Sequence, residues 1–287
     1  MNAIFKREFR SYFSGMTGWV FSAFVLLFSG IFTMVINLMS AYSNFEYVLS
    51  NMTFIYLLAI PILTMRLFAE ERRQKTETLL YSLPMPLTKV VLGKYFAALT
   101  ALASPFAVML FYPLILSQYG SVNLLSAYSG IIGFVLLGAS LISIGMFVST
   151  LTENQIISAV LCFAVILVNY FLTDLSGYLP SSAEASMFAF VVVIALVAFG
   201  FYKLAKSGAA AIIAGVIGEV ILLVFYLIKQ TAFEDLFPTI LSKLSLFDRF
   251  YIFADGMFDL TAVIYFATVC ALFIFFTVQA LEKRRWN

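Results

Sequence analysis

Few side chains in this chain are of a kind that does chemistry, and the densest group of them lies in one segment. The 287 residues include no histidine, which removes the commonest metal ligand and the commonest near-neutral proton acceptor. Cys162 and Cys270 each sit inside an apolar run and read as small buried hydrophobes, not as a disulfide. No G-x-x-x-x-G-K-[ST] pattern occurs: Gly93-Lys94 is followed by Tyr95 and lacks the upstream glycine, so the chain cannot cradle the phosphates of a nucleotide. Asp248, Arg249 and Asp255 have no nucleophile or metal set beside them and read as solvated charges and helix caps. Asn37, Asn169 and, in AGVIGEVILLV, Glu219 stand inside apolar runs. A carboxylate at bilayer depth costs about 3 kcal/mol or more, so Glu219 and Asn169 are candidates for an intramembrane polar site. They serve either as structural hydrogen-bonding groups or, for Glu219, as a proton relay or substrate contact.

Charge concentrates instead in one segment, RLFAEERRQKTETLLYSLPMPLTKVVLGK, residues 66–94. Glu70, Glu71, Arg72, Arg73 and Lys75 form a mixed-charge collar at its start. Thr76 is placed to cap a short helix, Glu77 to sit at its positive end, and Pro84 and Pro86 to stop it about two turns later. Leu79, Leu80 and Leu83 then share one face. That face either docks into a groove of a partner and passes force to the flanking spans, or packs against the protein's own helix ends.

What must hold this segment is a membrane bundle. With 63% hydrophobic and 11% charged residues, 32 Phe and 15 Tyr, the chain could not solvate the surface of a soluble domain. A hydrocarbon core of about 30 Å needs roughly 20 helical residues. That ruler predicts an all-α membrane protein of about eight spans, at 18–39, 51–68, 95–117, 127–149, 155–173, 186–203, 207–228 and 259–281. The chain reads as a single transmembrane domain over 1–287. With both termini on the cytoplasmic side, only Lys229, Lys243 and Arg249 of the 17 basic residues fall outside. Glu46, Asp174, Glu184, Glu234, Asp235, Asp248, Asp255 and Asp259 fall outside as well. A net charge of +2 with no basic stripe argues against nucleic acid. Residues 1–16 predict an interfacial helix, with Phe5, Phe9, Tyr12 and Phe13 on one face and Lys6, Arg7 and Arg10 opposite. The segment 229–258 predicts an outer re-entrant or interfacial helix before the last span, with Gly256 and Asp259 ending one helix and capping the next.

The stretch AEERRQKTETLLYSLPMPLTKVVLGKY resembles the first cytoplasmic loop of type-2 ABC transporter permeases, in which a charged collar, a Thr-x-Glu-x-Leu-Leu run, a Ser-x-Pro turn and a downstream Lys surround a coupling helix. Glu71, Thr76, Glu77, Leu79, Leu80, Ser82, Pro84 and Lys94 stand at those positions. Members often carry Gly before the Thr; Lys75 stands there in this chain, and Gly permits backbone conformations that Lys resists. SLFDRFYIFADGMFDLTAVIYF, then ALEKRRW, is similar to the gliding-motility-type branch of that family. The likeness touches the entry helix, the loop, STLTENQ at 149–155 and everything after 241, while the pair at 186–228 departs from the usual six spans. The resemblance implies a permease subunit of an exporter in the bacterial plasma membrane, with no cofactor of its own. ATP-Mg would sit on a partner ABC ATPase, coupled through Glu70, Glu71, Thr76, Glu77, Leu79, Leu80, Leu83 and Pro84. A second permease copy, or a related permease, would complete the pathway. The alternative is a non-transporting anchor that transmits ATPase-driven motion to an extracytoplasmic protein partner.

Overall fold

The computed structural model describes residues 1–76, 85–205 and 208–285, and among these every regular element is helical. In chain order the α-helices are α1 (Asn2–Ser14), α2 (Met16–Phe32, continuing as a π-helical stretch Thr33–Met39), α3 (Glu46–Met52), α4 (Ile55–Thr64), α5 (Ala69–Arg73), α6 (Leu87–Met109), α7 (Phe111–Leu116), α8 (Leu124–Leu151), α9 (Gln155–Tyr178), α10 (Ala183–Ala205), α11 (Gly208–Ile228), α12 (Leu236–Leu244), α13 (Leu246–Ala254) and α14 (Leu260–Arg285). Among the described residues, five helical spans are long and apolar enough to cross a membrane: Met16–Met39, Leu87–Leu116, Leu124–Leu151, Gln155–Tyr178 and Leu260–Arg285. The bent pair α3 and α4 makes a sixth if counted as one span. The apolar stretches identified in α10 and α11 are the shorter Ala183–Ala195 and Gly215–Ile228.

The second stretch is therefore not the straight span 51–68. It starts at Glu46 and bends by 63° between α3 and α4, where the Thr53 hydroxyl donates to the Ser50 carbonyl. Glu46 is not a solvated loop residue either. It is 3% exposed at the start of α3, its Cγ lies against Gly130, and neither carboxylate oxygen has a hydrogen-bond partner among the described residues.

Two compact units make up the chain, Met1–Tyr170 with Leu246–Asn287, and Phe171–Ser245. In the larger unit α8 is the central helix, packed against α4, α6, α13 and α14. Lipid tails are as apolar as leucine, so close packing and hydrogen bonds, not water exclusion, must hold such helices together. The stripe of small residues on α8 supplies both. Gly133 faces Phe253, Gly138 faces Leu102 and Tyr56, and Gly145 faces Thr64 and Cys162. The Tyr56 hydroxyl donates to the Phe134 carbonyl at 3.0 Å, with the two rings stacked 4.4 Å apart, and the Ser140 hydroxyl donates to Phe266 of α14 at 3.3 Å. Both cysteines are free, Cys162 buried beside Thr64 and Cys270 beside the Tyr95 hydroxyl. Before α14, Gly256 takes φ +81° and Asp259 accepts from the Thr261 N–H at 2.8 Å, the turn and cap that these residue types favour.

In the smaller unit α10 and α11 form a close hairpin. A Cβ on Gly215 would lie 3.0 Å from the Ala198 methyl, and one on Gly218 would lie 3.2 Å from Ile194. The Asp235 N–H donates to the Ser181 carbonyl at 2.8 Å, and Phe190 meets Phe237 edge to face.

Gly138 tests the packing of α8. A Cβ there would come within 2.7 Å of Leu102 and 2.9 Å of the Tyr56 hydroxyl. Gly138→Ala should therefore lower stability by about 1–3 kcal/mol, read as thermal unfolding in detergent. Wild-type melting of that variant would show that the contact is loose.

Candidate functional site at the base of the charged loop

The charged segment is shorter than the apolar ruler implies, because α6 begins at Leu87, about two turns before the predicted start of the third span. Lys94 is thus inside a helix, and it is 2% exposed. Four groups make its burial possible. Its ammonium meets Glu71 at 3.0 Å and Glu8 at 3.3 Å, donates to the Leu67 carbonyl at 2.8 Å, and lies 5.2 Å from the centre of the Phe68 ring. Arg7 closes the ring of charge, 2.7 Å from Glu8 and 3.1 Å from Glu71. Two cations and two carboxylates from α1, α5 and α6 therefore share one cluster.

Each member is placed by its own helix. Glu8 sits between Ile4 and Tyr12 on the buried face of α1, the i, i+4, i+8 row that packs on α6. The Tyr12 hydroxyl donates to the Leu63 carbonyl at 3.1 Å, so Tyr12 is not part of a lipid-facing stripe as its apolar neighbours suggested. Phe5, Phe9 and Phe13 form that stripe by themselves, a ladder of rings carried on by Trp19. Burial alone would raise the Glu8 carboxyl, but Lys94, then Arg7, hold it below its ordinary value by charge and hydrogen bonds. The hydrogen bond to Glu8 in turn raises the Arg7 guanidinium against the opposing effect of burial.

Glu71 belongs to α5, a five-residue helix with Glu70 and Glu71 in its first turn and Arg72 and Arg73 in its last, the arrangement its dipole favours. Its start is fixed by Ser149 of α8, whose hydroxyl oxygen accepts from the Phe68 and Ala69 N–H groups, both at 3.1 Å. Its end is fixed by a reversal in which Lys75 N–H donates to Arg72 and Thr76 N–H to Glu71, at 3.0 and 2.9 Å. The residue that makes that reversal takes φ +56°, and it is Lys75. The Thr76 hydroxyl also donates to the Glu71 carbonyl, at 3.2 Å, and so serves the end of the helix before it. Glu70 accepts from the Gln74 amide at 3.4 Å. Arg72 reaches the end of α8, donating to Thr150 and to Glu153.

The structure thus brings Glu71 together with Lys94, Glu8 and Arg7, and sets Glu70 and Thr76 beside them. Glu77, Leu79, Leu80, Leu83 and Pro84 lie outside the described residues. Asn169 plays a structural part, since its carbonyl oxygen accepts from the Leu246 N–H at 3.0 Å and caps the start of α13. Glu219 is half-buried on α11 with no hydrogen-bond partner among the described residues. Sequence reasoning passed over Glu8 and Ser149. The signal for Glu8 was there, as the one acidic residue in a basic helix, four positions from both Ile4 and Tyr12; Ser149 carries no comparable mark.

Removing Lys94 leaves two carboxylates short of a cation, so Lys94→Met should cost about 3–5 kcal/mol and Glu8→Gln less, since Glu71 still meets the ammonium. The lowered Glu8 carboxyl adds a pH signature. Its contribution is complete above its ordinary value of 4.5 and is lost as the pH falls through the lower folded value. Unfolding in detergent across the acid range should give a steeper loss for wild type than for Glu8→Gln; parallel profiles would contradict the assignment. Lys75→Gly should stabilise by about 1 kcal/mol, since glycine meets the left-handed turn without strain. A less stable glycine variant would mean that contacts of the Lys75 side chain outweigh its backbone strain.

No protein-family model, curated protein or solved structure matches the chain, so what the site does is argued from its geometry.

Proposed function

We propose that the chain is the membrane-spanning permease subunit of an ABC transporter, coupling ATP hydrolysis on a separate ATPase to translocation of a substrate, in the direction of export. The observation that carries this reading is the cluster at Lys94. A loop whose base is locked to the entry helix and to α6 by buried charges cannot be pushed without moving both. Such a loop suits a handle gripped from outside the bilayer better than a connection between spans. The absence of a phosphate-cradling motif in the sequence argues for a motor, and its ATP-Mg, on a partner. The left-handed turn at Lys75, where the resembling permeases often carry Gly, also supports the likeness.

In this reading α10 and α11 complete eight spans, the interfacial α1 and both termini face the cytoplasm of a bacterial cell, and the loop at 66–94 carries the coupling function. Leu79, Leu80 and Leu83 enter the ATPase groove, flanked by Glu77 and Pro84. Two copies, or this chain and a related permease, enclose the pathway, since ATP-driven closure acts on a pair.

Co-purification from native membranes should recover the ATPase. Leu79→Asp combined with Leu83→Asp should leave the protein inserted while reducing recovered ATPase to background, because two charges enter a dry groove. Unchanged recovery would mean that the leucines pack internally. ATP hydrolysis by the complex in vesicles should rise with substrate; stimulation only by another protein would favour the anchor over the transporter.

A further inference from the structure

Between the base of the charged loop and the start of α9 lies a polar cleft of about 580 Å³, within the size range of small-ligand sites. Arg72, Arg73 and Lys75 form one wall, and Glu153, Asn154 and Ile156 line the other. Arg72, Arg73 and Lys75 bring three cations to the cleft, and Glu153 accepts from Arg72 at 2.7 Å. A second hydrogen bond, to the Thr150 carbonyl at 3.3 Å, holds Arg72 in place before any ligand arrives. Arg73 and Lys75 are exposed. The N-terminal end of α9 adds to the positive field, with the Asn154 side chain accepting from the Ile156 N–H at 2.9 Å. A compact anion with several acceptor oxygens is what this cleft fits, and phosphate has that chemistry.

The position of the cleft decides where the phosphate comes from. α8 ends at Leu151 and α9 begins at Gln155, and both are long and apolar enough to span a bilayer, so the cleft lies where spanning helices leave the hydrocarbon. The surface of α9 beyond it is apolar. Ile156 on the rim is 73% exposed and Val160, one turn on, is 60% exposed. A free anion has no use for that ridge; a lipid places its acyl chains along it. We propose that this cleft binds the phosphate of an anionic glycerophospholipid, with Arg73 and Lys75 as the main contacts and Arg72 as the fixed wall. The inference does not depend on the ATPase reading, because it uses only the charges and the helix ends.

Native mass spectrometry of the protein released from bilayer discs of equal phosphatidylglycerol and phosphatidylcholine tests it. The expected result is retention of phosphatidylglycerol over phosphatidylcholine. Each Lys or Arg near a membrane surface contributes about a fivefold factor in binding anionic lipid. Arg73→Gln with Lys75→Gln should therefore lower that retention about 25-fold with unchanged melting. Lys283→Gln with Arg285→Gln, which removes two cations from the end of α14, should leave it intact. Equal retention of the two lipids overturns the proposal. So does an equal loss in both double variants, which would mean diffuse surface charge. Displacement of the lipid by millimolar inorganic phosphate would make the cleft a free-anion site. Loss of ATPase recovery in the Arg73/Lys75 variant with lipid retention unchanged would give it to the protein partner.

Discussion

An ammonium group can be buried at a helix base only if charge of the opposite sign is buried with it, and at Lys94 that charge comes from two other helices. Glu8 arrives on α1 and Glu71 on α5, and Arg7 neutralises the excess. Each of these two elements is short, and a helix of that length is marginal alone. The cluster adds to the contacts of Tyr12 with Leu63 and of α5 with Ser149. Pulling α5 or α6 away leaves an unpaired charge in a dry place, and pulling α1 away takes Glu8 from Lys94 and Arg7 from Glu71, so shared pairing holds the three together. The position of the charged loop, the seating of the entry helix and the early start of α6 all follow from it.

The rest of the larger unit carries that cluster. Ser149 at the end of α8 fixes the start of α5, and α8 is itself clamped by α4, α6, α13 and α14 through its small residues. A displacement at the loop therefore reaches the centre of the bundle through a helix that has no slack at Gly133, Gly138 or Gly145. At the other end, Asn169 and Asp259 cap α13 and α14.

Those features that depend on the local chain were legible in the sequence. Apolar length marked the helices, of which five, or six with the bent pair, are long and apolar enough to span a membrane, and residue type identified the turn at Gly256, the cap at Asp259 and the free cysteines. Features that depend on a partner distant in the chain were not. Lys94 halted the apolar ruler because hydropathy assigns a lysine to water, whatever carboxylates await it from 23 and 86 residues away. Tyr12 looked like part of a lipid-facing stripe, since its hydrogen bond to Leu63 has no local signature. Glu46 falls between two apolar stretches, and its burial against Gly130 of α8 has no local sign; the bend after Met52 lies beside a hydroxyl that any threonine could offer. Lys75 is the instructive middle case: the resemblance flagged the position as one suited to glycine, and the backbone there is left-handed.

If the buried charges bind the loop base to the entry helix, the two must move together. Spin labels at Lys6 and Gln74, both exposed and on α1 and at the end of α5, report it directly as an interspin distance measured in the complex with the proposed ATPase, with and without ATP. The distance should be the same in both states for the intact protein and should broaden and shift with ATP once Lys94→Met breaks the cluster. A distance that changes with ATP while Lys94 is present, or one indifferent to its removal, would show that the charges do not bind these elements into one unit.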